Sequence, residues 1–467
     1  MSDWKQKNQI LATILIALVS VVTLTTIAFL ILNCLVSPET LLGTSSRTAT
    51  TTDPNGAKTT VEETLSSTTP RFEILKTALT IGAGISALGI LALSYRKQKD
   101  LEDSHFVERF GAAAEQLGHT DPAVRLAGVY AMTTVANQYS NFDQRQQCID
   151  VLCGYLRLPY NPQDQEPHQA KLKITNPPSP PQTTSISETE FTYRQDDSEV
   201  RNTILRTIAS HVHHDAKTSW SKHDFDLTGA YLDGGNFDRA QFSGNNTTFA
   251  GAQFNGKTTS FVEAHFNGKT TSFDRAQFSG KNTTFAGAHF NGENTSFAGA
   301  QFNGENTAFI SAQFNGENTA FTSAQFNAKT TWFNRAQFSA KTTSFGGAHF
   351  NGKTTTFGGA HFNGKTTSFG GAHFNGKTTT FVGAHFNGKT TSFNRAQFNR
   401  GNVSFQSEFR STKTDFSLAD FTADVSFEGS TIGTGEIVTD WNANKGSQPA
   451  NVRPTHWPPT AVSQNQS

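Results

Sequence analysis

The side chains best suited to chemistry are few. His211, His213, His214 and Asp215 place three imidazoles and a carboxylate within five residues, a donor set that suits zinc or a similar metal. No second ligand cluster completes it, and three His within four residues at a helix end read as a solvated terminus. Cys148 and Cys153 are five apart, which puts them on different faces of a helix. They read as core packing rather than a redox or zinc pair. No nucleophile–base pair, phosphate loop or metal-ligand spacing appears. No catalytic residue, cofactor or metal is therefore assigned, and the chain reads as a binding protein rather than an enzyme.

Charge offers a different kind of chemistry. Lysine recurs at 257, 269, 281, 329, 341, 353, 365, 377 and 389, with Glu at 293, 305 and 317 in the same register. Residues 237–405 hold 14 Lys+Arg against 6 Asp+Glu. The run Lys341, Lys353, Lys365, Lys377 and Lys389 is a candidate stripe for an anionic partner. If neighbours in a stack are two periods of this series apart, the lysines divide between two opposite faces. His occupies another column at 265, 289, 349, 361, 373 and 385, exchanging with Gln. That exchange indicates a tolerant, exposed position.

The element that must position these columns is a repeat. The chain has 467 residues, with 40 Phe against 7 Tyr and 2 Met, too monotonous for an ordinary core. Phe stands at every twelfth position from Phe237 to Phe405 and again from Phe242 to Phe398. Spacings of 5 and 7 exclude an amphipathic helix. Ala stands two residues before each Phe of the second series, from Ala240 to Ala396. Thr stands two before the first series from Thr247 to Thr391, with Val403 last. Each 12-mer thus holds two five-residue units and a two-residue insert such as Lys257-Thr258. A chain that turns a corner every five residues sends one large and one small side chain inward per side, and coils stack about 4.8 Å apart.

These units resemble the pentapeptide-repeat family in its variant with 12-residue double units. The resemblance implies a right-handed quadrilateral β-helix, an all-β solenoid. Leu227, Leu232, Phe237 and Phe242 keep the undiluted five-residue spacing of a first coil. Two 12-mers should make each inserted coil. The expected structural core is Leu227, Leu232, Phe237, Phe242, Phe254, Phe266, Phe278, Phe290, Phe302, Phe314, Phe326, Phe338, Phe350, Phe362, Phe374, Phe386 and Phe398. The spacing decays after Phe405, which reads as a cap. The solenoid is placed at 222–432 and a disordered tail at 433–467.

Upstream, residues Ile10–Val36 carry no charge, long enough for a membrane helix. The expectation is an N-terminus and first span over 1–36, an external disordered loop over 37–72 and a second span over 73–98. Lys5, Lys7, Arg96, Lys97 and Lys99 put both termini in the cytoplasm by the positive-inside rule. The predicted location is therefore the cell membrane, multi-pass. Ala78, Gly82 and Ser86, spaced by four, allow close helix packing or a homodimer. A small all-α module follows at 99–157, then a disordered linker at 158–195 and an amphipathic helix at 196–215. The order of a membrane α-helical hairpin, a helical module and a solenoid resembles actinobacterial membrane-anchored pentapeptide-repeat proteins.

Lys+Arg and Asp+Glu are 38 each. That balance speaks against a general nucleic-acid binder and against a globally acidic DNA mimic. Three cysteines rule out a disulfide scaffold. The expected role is a non-enzymatic, membrane-anchored scaffold that presents the β-helix to a cytoplasmic partner, a protein or an anionic ligand. The alternatives are a topoisomerase-protecting DNA mimic, which the basic repeat disfavours, and an enzyme with its site in 100–215. A deep polar pocket in that module would mark the enzyme.

Overall fold

The computed structural model describes residues 44–66, 70–160, 171–176, 187–192, 197–440 and 447–458, with positions 23, 26, 27 and 30. The chain divides into two compact units, Met1–His105 and Phe106–Ser467.

The first unit departs from the sequence expectation. Strands β1 (Thr44–Thr52) and β2 (Lys58–Ser66) pair antiparallel where a disordered loop was expected. The reason lies in Asp53-Pro54-Asn55-Gly56, a turn sequence flanked by β-branched Thr and Val. The Gly56 N–H donates to the Asp53 carbonyl at 2.9 Å, and Gly56 has φ +80°. Helix α1 (Pro70–Gly118) runs on for 49 residues. Among the described residues no helix is long and apolar enough to cross a membrane. The predicted hairpin, its two spans and the multi-pass membrane location are corrected accordingly. Within α1 the uncharged run 77–95 is followed at once by Arg96, Lys97, Lys99 and Asp100. The proposed first span, 10–36, lies outside the described residues except for four isolated positions.

In the second unit the end of α1 packs with α2 (Pro122–Gln138), α3 (Phe142–Arg157) and α4 (Asp197–Val212). Asp121 caps α2, its carboxylate accepting from the Ala123 N–H at 2.8 Å, with Pro122 at the first turn. Asn141 caps α3 in the same way. Met132, Val129, Ile149, Leu152, Ile204 and Ile208 are fully buried between them. Within the expected linker, β3 (Lys171–Asn176) and β4 (Ser187–Thr192) pair antiparallel.

The solenoid begins at Phe225 and has four sides, each a parallel sheet of nine or ten strands. We number the sides from their first strands, Phe225–Asp226, Tyr231–Leu232, Gly235–Asn236 and Gln241–Phe242. Through the body each coil advances the register by two 12-mers, as in Phe254↔Phe278 and Phe266↔Phe290. The step falls to 22 at Leu232↔Phe254 and to 23 at Phe386↔Phe409, where two-residue inserts are missing or trimmed. Leu227, Leu232 and every Phe of the predicted core from Phe237 to Phe398 are at most 1% exposed. Rings on one side stack parallel, as in Phe290 and Phe314 with centroids 4.8 Å apart. Rings on adjacent sides meet edge to face, as in Phe314 and Phe321 at 5.6 Å and 79°.

Corners close through a residue with φ near +55° to +70°. Gly fills many of these positions, but Arg239, Arg275, Arg335 and Arg395 are among those that adopt it at strain. The expected disordered tail is instead a cap. Glu436–Val438 ends the first side, and Val452 pairs with Val425 on the third. Trp457 stacks on Phe427 at 3.6 Å and closes the apolar column, an end that repeat domains must cover.

Candidate functional site

The lysines stand in the corners because the two-residue inserts must bulge outward there. Residue 257 and its successors lie between the second and third sides, and residue 269 and its successors between the fourth and first. In a four-sided coil these corners are opposite. The candidate stripe is therefore divided. Lys341, Lys365 and Lys389 share one corner, while Lys353 and Lys377 share the other.

Two of the Glu positions pair with lysines in the middle of the corner rows. Glu305 meets Lys281 at 3.8 Å and Lys329 at 3.3 Å, and Glu317 meets Lys341 at 3.2 Å. These are exposed pairs of small energetic weight. Beyond them, residues 318–407 contain six lysines, three arginines and no carboxylate. Lys353, Lys365, Lys377 and Lys389 are exposed, and among the described residues none has a carboxylate within ion-pair distance.

Rigid polar ladders flank these corners. Asn327, Asn351, Asn375 and Asn399 pass side-chain hydrogen bonds of 2.7–2.9 Å from coil to coil beside Lys353 and Lys377. Thr354, Thr378 and Asn402 continue the surface onto the third side. The ladders fix the lysine spacing to the coil rise, so the charges form two rows on a stiff rod.

The His column also splits between two sides. His265 stacks on His289 at 4.5 Å, His349 on His373 at 4.4 Å and His361 on His385 at 4.6 Å. Burial, then the neighbouring imidazole, lowers the pKa of His349 and of His361. His385 meets Glu408 at 3.0 Å.

In the helical module the candidate residues separate. His211 is structural: its ring lies 4.1 Å from that of Trp220, and its Nδ1–H donates to the Thr207 carbonyl at 2.8 Å. His213, His214 and Asp215 stay together at the end of α4, with one donor atom of each within 4.8 Å of the others. Cys148 and Cys153 are buried and unpaired, and burial pushes both thiols up to about 12. They are inert at neutral pH.

Sequence reasoning missed the buried ionic centre of the module. Asp197 accepts from the Tyr155 hydroxyl and pairs with Arg201 at 3.5 Å and Arg125 at 3.6 Å. Arg201 also donates to the Tyr155 and Leu156 carbonyls. Tyr155 is 42 residues from Asp197 and 46 from Arg201, so no local pattern announces these contacts. Only the (i, i+4) spacing of Asp197 and Arg201 was readable. A cleft of about 300 Å³ lies between α4 and the first coil, lined by Asn202, Leu205, Arg206, Ala209 and Asp233 to Asn236. None of these is a Ser, Cys, Lys or His, and Arg206 is engaged by Glu199 at 2.6 Å.

No protein-family model, curated protein or solved structure matches the chain.

Proposed function

We propose that this chain is a binding scaffold of the pentapeptide-repeat kind, whose solenoid offers two lysine rows to an anionic partner. The observation that carries this reading is the charge asymmetry along the rod. Lys281, Lys329 and Lys341 have Glu partners, whereas among the described residues Lys353, Lys365, Lys377 and Lys389 do not. Four exposed ammonium groups in fixed rows raise the local potential and attract carboxylate- or phosphate-bearing surfaces. Hydroxyl and amide ladders beside them supply neutral hydrogen bonds for the same ligand. The partner is an acidic protein surface rather than nucleic acid, because the rows are only two or three lysines long and lie on opposite corners.

The reading is non-enzymatic. The test uses an acidic probe, poly-glutamate, and the full chain. Binding should weaken with salt and fall at least tenfold when Lys353, Lys365, Lys377 and Lys389 are all changed to Gln. Equal binding by the quadruple variant would overturn the proposal.

A further inference from the structure

We propose that His213, His214 and Asp215 form a divalent transition-metal site at the junction of the helical module and the solenoid. Three observations converge. One donor atom from each residue already lies within 4.8 Å of the others. The His214 Nε2 and Asp215 Oδ1 atoms approach to 3.1 Å, and the two imidazole centroids to 4.5 Å. The backbone that carries them is tied to the first coil. His213 forms an antiparallel bridge with Ala240, and the His214 N–H donates to the Arg239 carbonyl at 3.1 Å. The ligands are thus held by main-chain bonds rather than by a free chain end.

Two imidazoles and a carboxylate are the donor set of an open zinc site, with water in the remaining position. The same set suits Ni²⁺ and Cu²⁺, and does not suit Ca²⁺ or Mg²⁺, which want oxygen shells. Bond lengths near 2.0–2.1 Å require the donors to draw together by up to about 1.5 Å. Side-chain rotation supplies this, because His214 and Asp215 are exposed. The Asp215 N–H contact to His213 Nδ1, 3.3 Å long, is weak and leaves that ring able to turn. His265 lies one coil on, in register with Gln241, which follows Ala240. A bound metal links the end of α4 to the solenoid, so it stabilises the docked arrangement by mass action.

The test is zinc chloride titration of the full chain, made without a polyhistidine tag, by calorimetry and by Co²⁺ absorption. Wild type should bind with micromolar affinity and show the d–d bands of a low-coordinate nitrogen–oxygen site. His213→Gln and His214→Gln should each weaken binding at least tenfold, and Asp215→Asn about threefold or more. His349→Gln, on the solenoid, should leave this site unchanged. All four positions are at least partly exposed, so the variants should fold, which circular dichroism checks. Unchanged zinc affinity in the His213→Gln/His214→Gln double variant overturns the proposal. So does binding that is lost only with the solenoid histidines.

Discussion

In the helical module, Met132, Cys148, Ile149, Leu152 and Ile208 fill one core with side chains of different shape. In the solenoid, Phe290, Phe314 and Phe338 meet the same neighbours at centroid distances of 4.8 and 5.0 Å, coil after coil. The module also buries charge, at Arg125, Asp197 and Arg201, while the solenoid interior is built from repeated columns of Phe, Ala and Thr. The difference teaches where specificity resides. The module's arrangement depends on unique long-range contacts. The solenoid's depends on register alone, and each coil needs only its two neighbours.

The sharpest way to break this comparison is deletion. Removing residues 285–308 takes out one whole coil and lets every ladder close again. That chain should melt cooperatively within a few degrees of wild type. Removing 285–290 leaves no Phe column in register and should abolish cooperative melting of the solenoid. If both deletions melted alike, register would not be what holds the rod together.

Single substitutions come next. Asp197→Ala should cost about 3–5 kcal/mol, because it strands two buried guanidinium groups. Phe314→Ala or Phe326→Ala should cost about the same, roughly 3–5 kcal/mol, as cavities in a packed column. The distinction lies in transferability. Any mid-rod Phe should behave like Phe314, whereas Ile149→Ala and Ile208→Ala in the module should differ from one another. Denaturant melts of each variant measure this.

The two regions should also differ in pH response. His223, at their junction, is buried beneath Phe142 with ring centroids 4.3 Å apart and contacts Gln146 Oε1 at 3.2 Å. Burial, and then the charge of Arg145, pushes its pKa down to about 4. The folded form therefore favours the neutral ring more than the unfolded chain does, whose His titrates near 6.5. Its stabilising effect is complete above about pH 6.5 and fades as the pH falls toward 4, by roughly 3 kcal/mol in all. His223→Gln should remove that part of the acid sensitivity. An unchanged pH profile would show that the ring charges without penalty.

Smaller effects test the solenoid wall. Thr343 and Thr355 bury hydroxyls without a hydrogen-bond partner, and Val403 already occupies an equivalent position. Thr343→Val should raise stability by about 1 kcal/mol. Lys341→Ala, at an exposed corner, should change it by less than about 0.5 kcal/mol. A thermal melt that ranked Lys341→Ala with Phe314→Ala would contradict the inward placement of the Phe series.

The amino-acid sequence determined the solenoid. Phe spaced by 5 and 7, with Ala or Thr two residues before, admits one way of turning inward, and two 12-mers close one coil. Identical coils need no distant partner to choose their register, so local spacing suffices. Helices α2, α3 and α4 were legible for the same local reason, through caps and apolar periodicity. Two of the missed pairings had local signals, the Asp53–Gly56 turn and the alternation at Leu172 and Ile174. The cap at Trp457 had none, because its partner Phe427 lies across a non-repeating segment. Tertiary structure alone decided which lysines share a corner. It also decided which carboxylates neutralise them, and that His213 and His214 are tied to the first coil while His211 is not. Those outcomes depend on residues brought together from successive coils or from separate elements, and a linear pattern fixes such neighbours only after the coil length and the docking of the module are known.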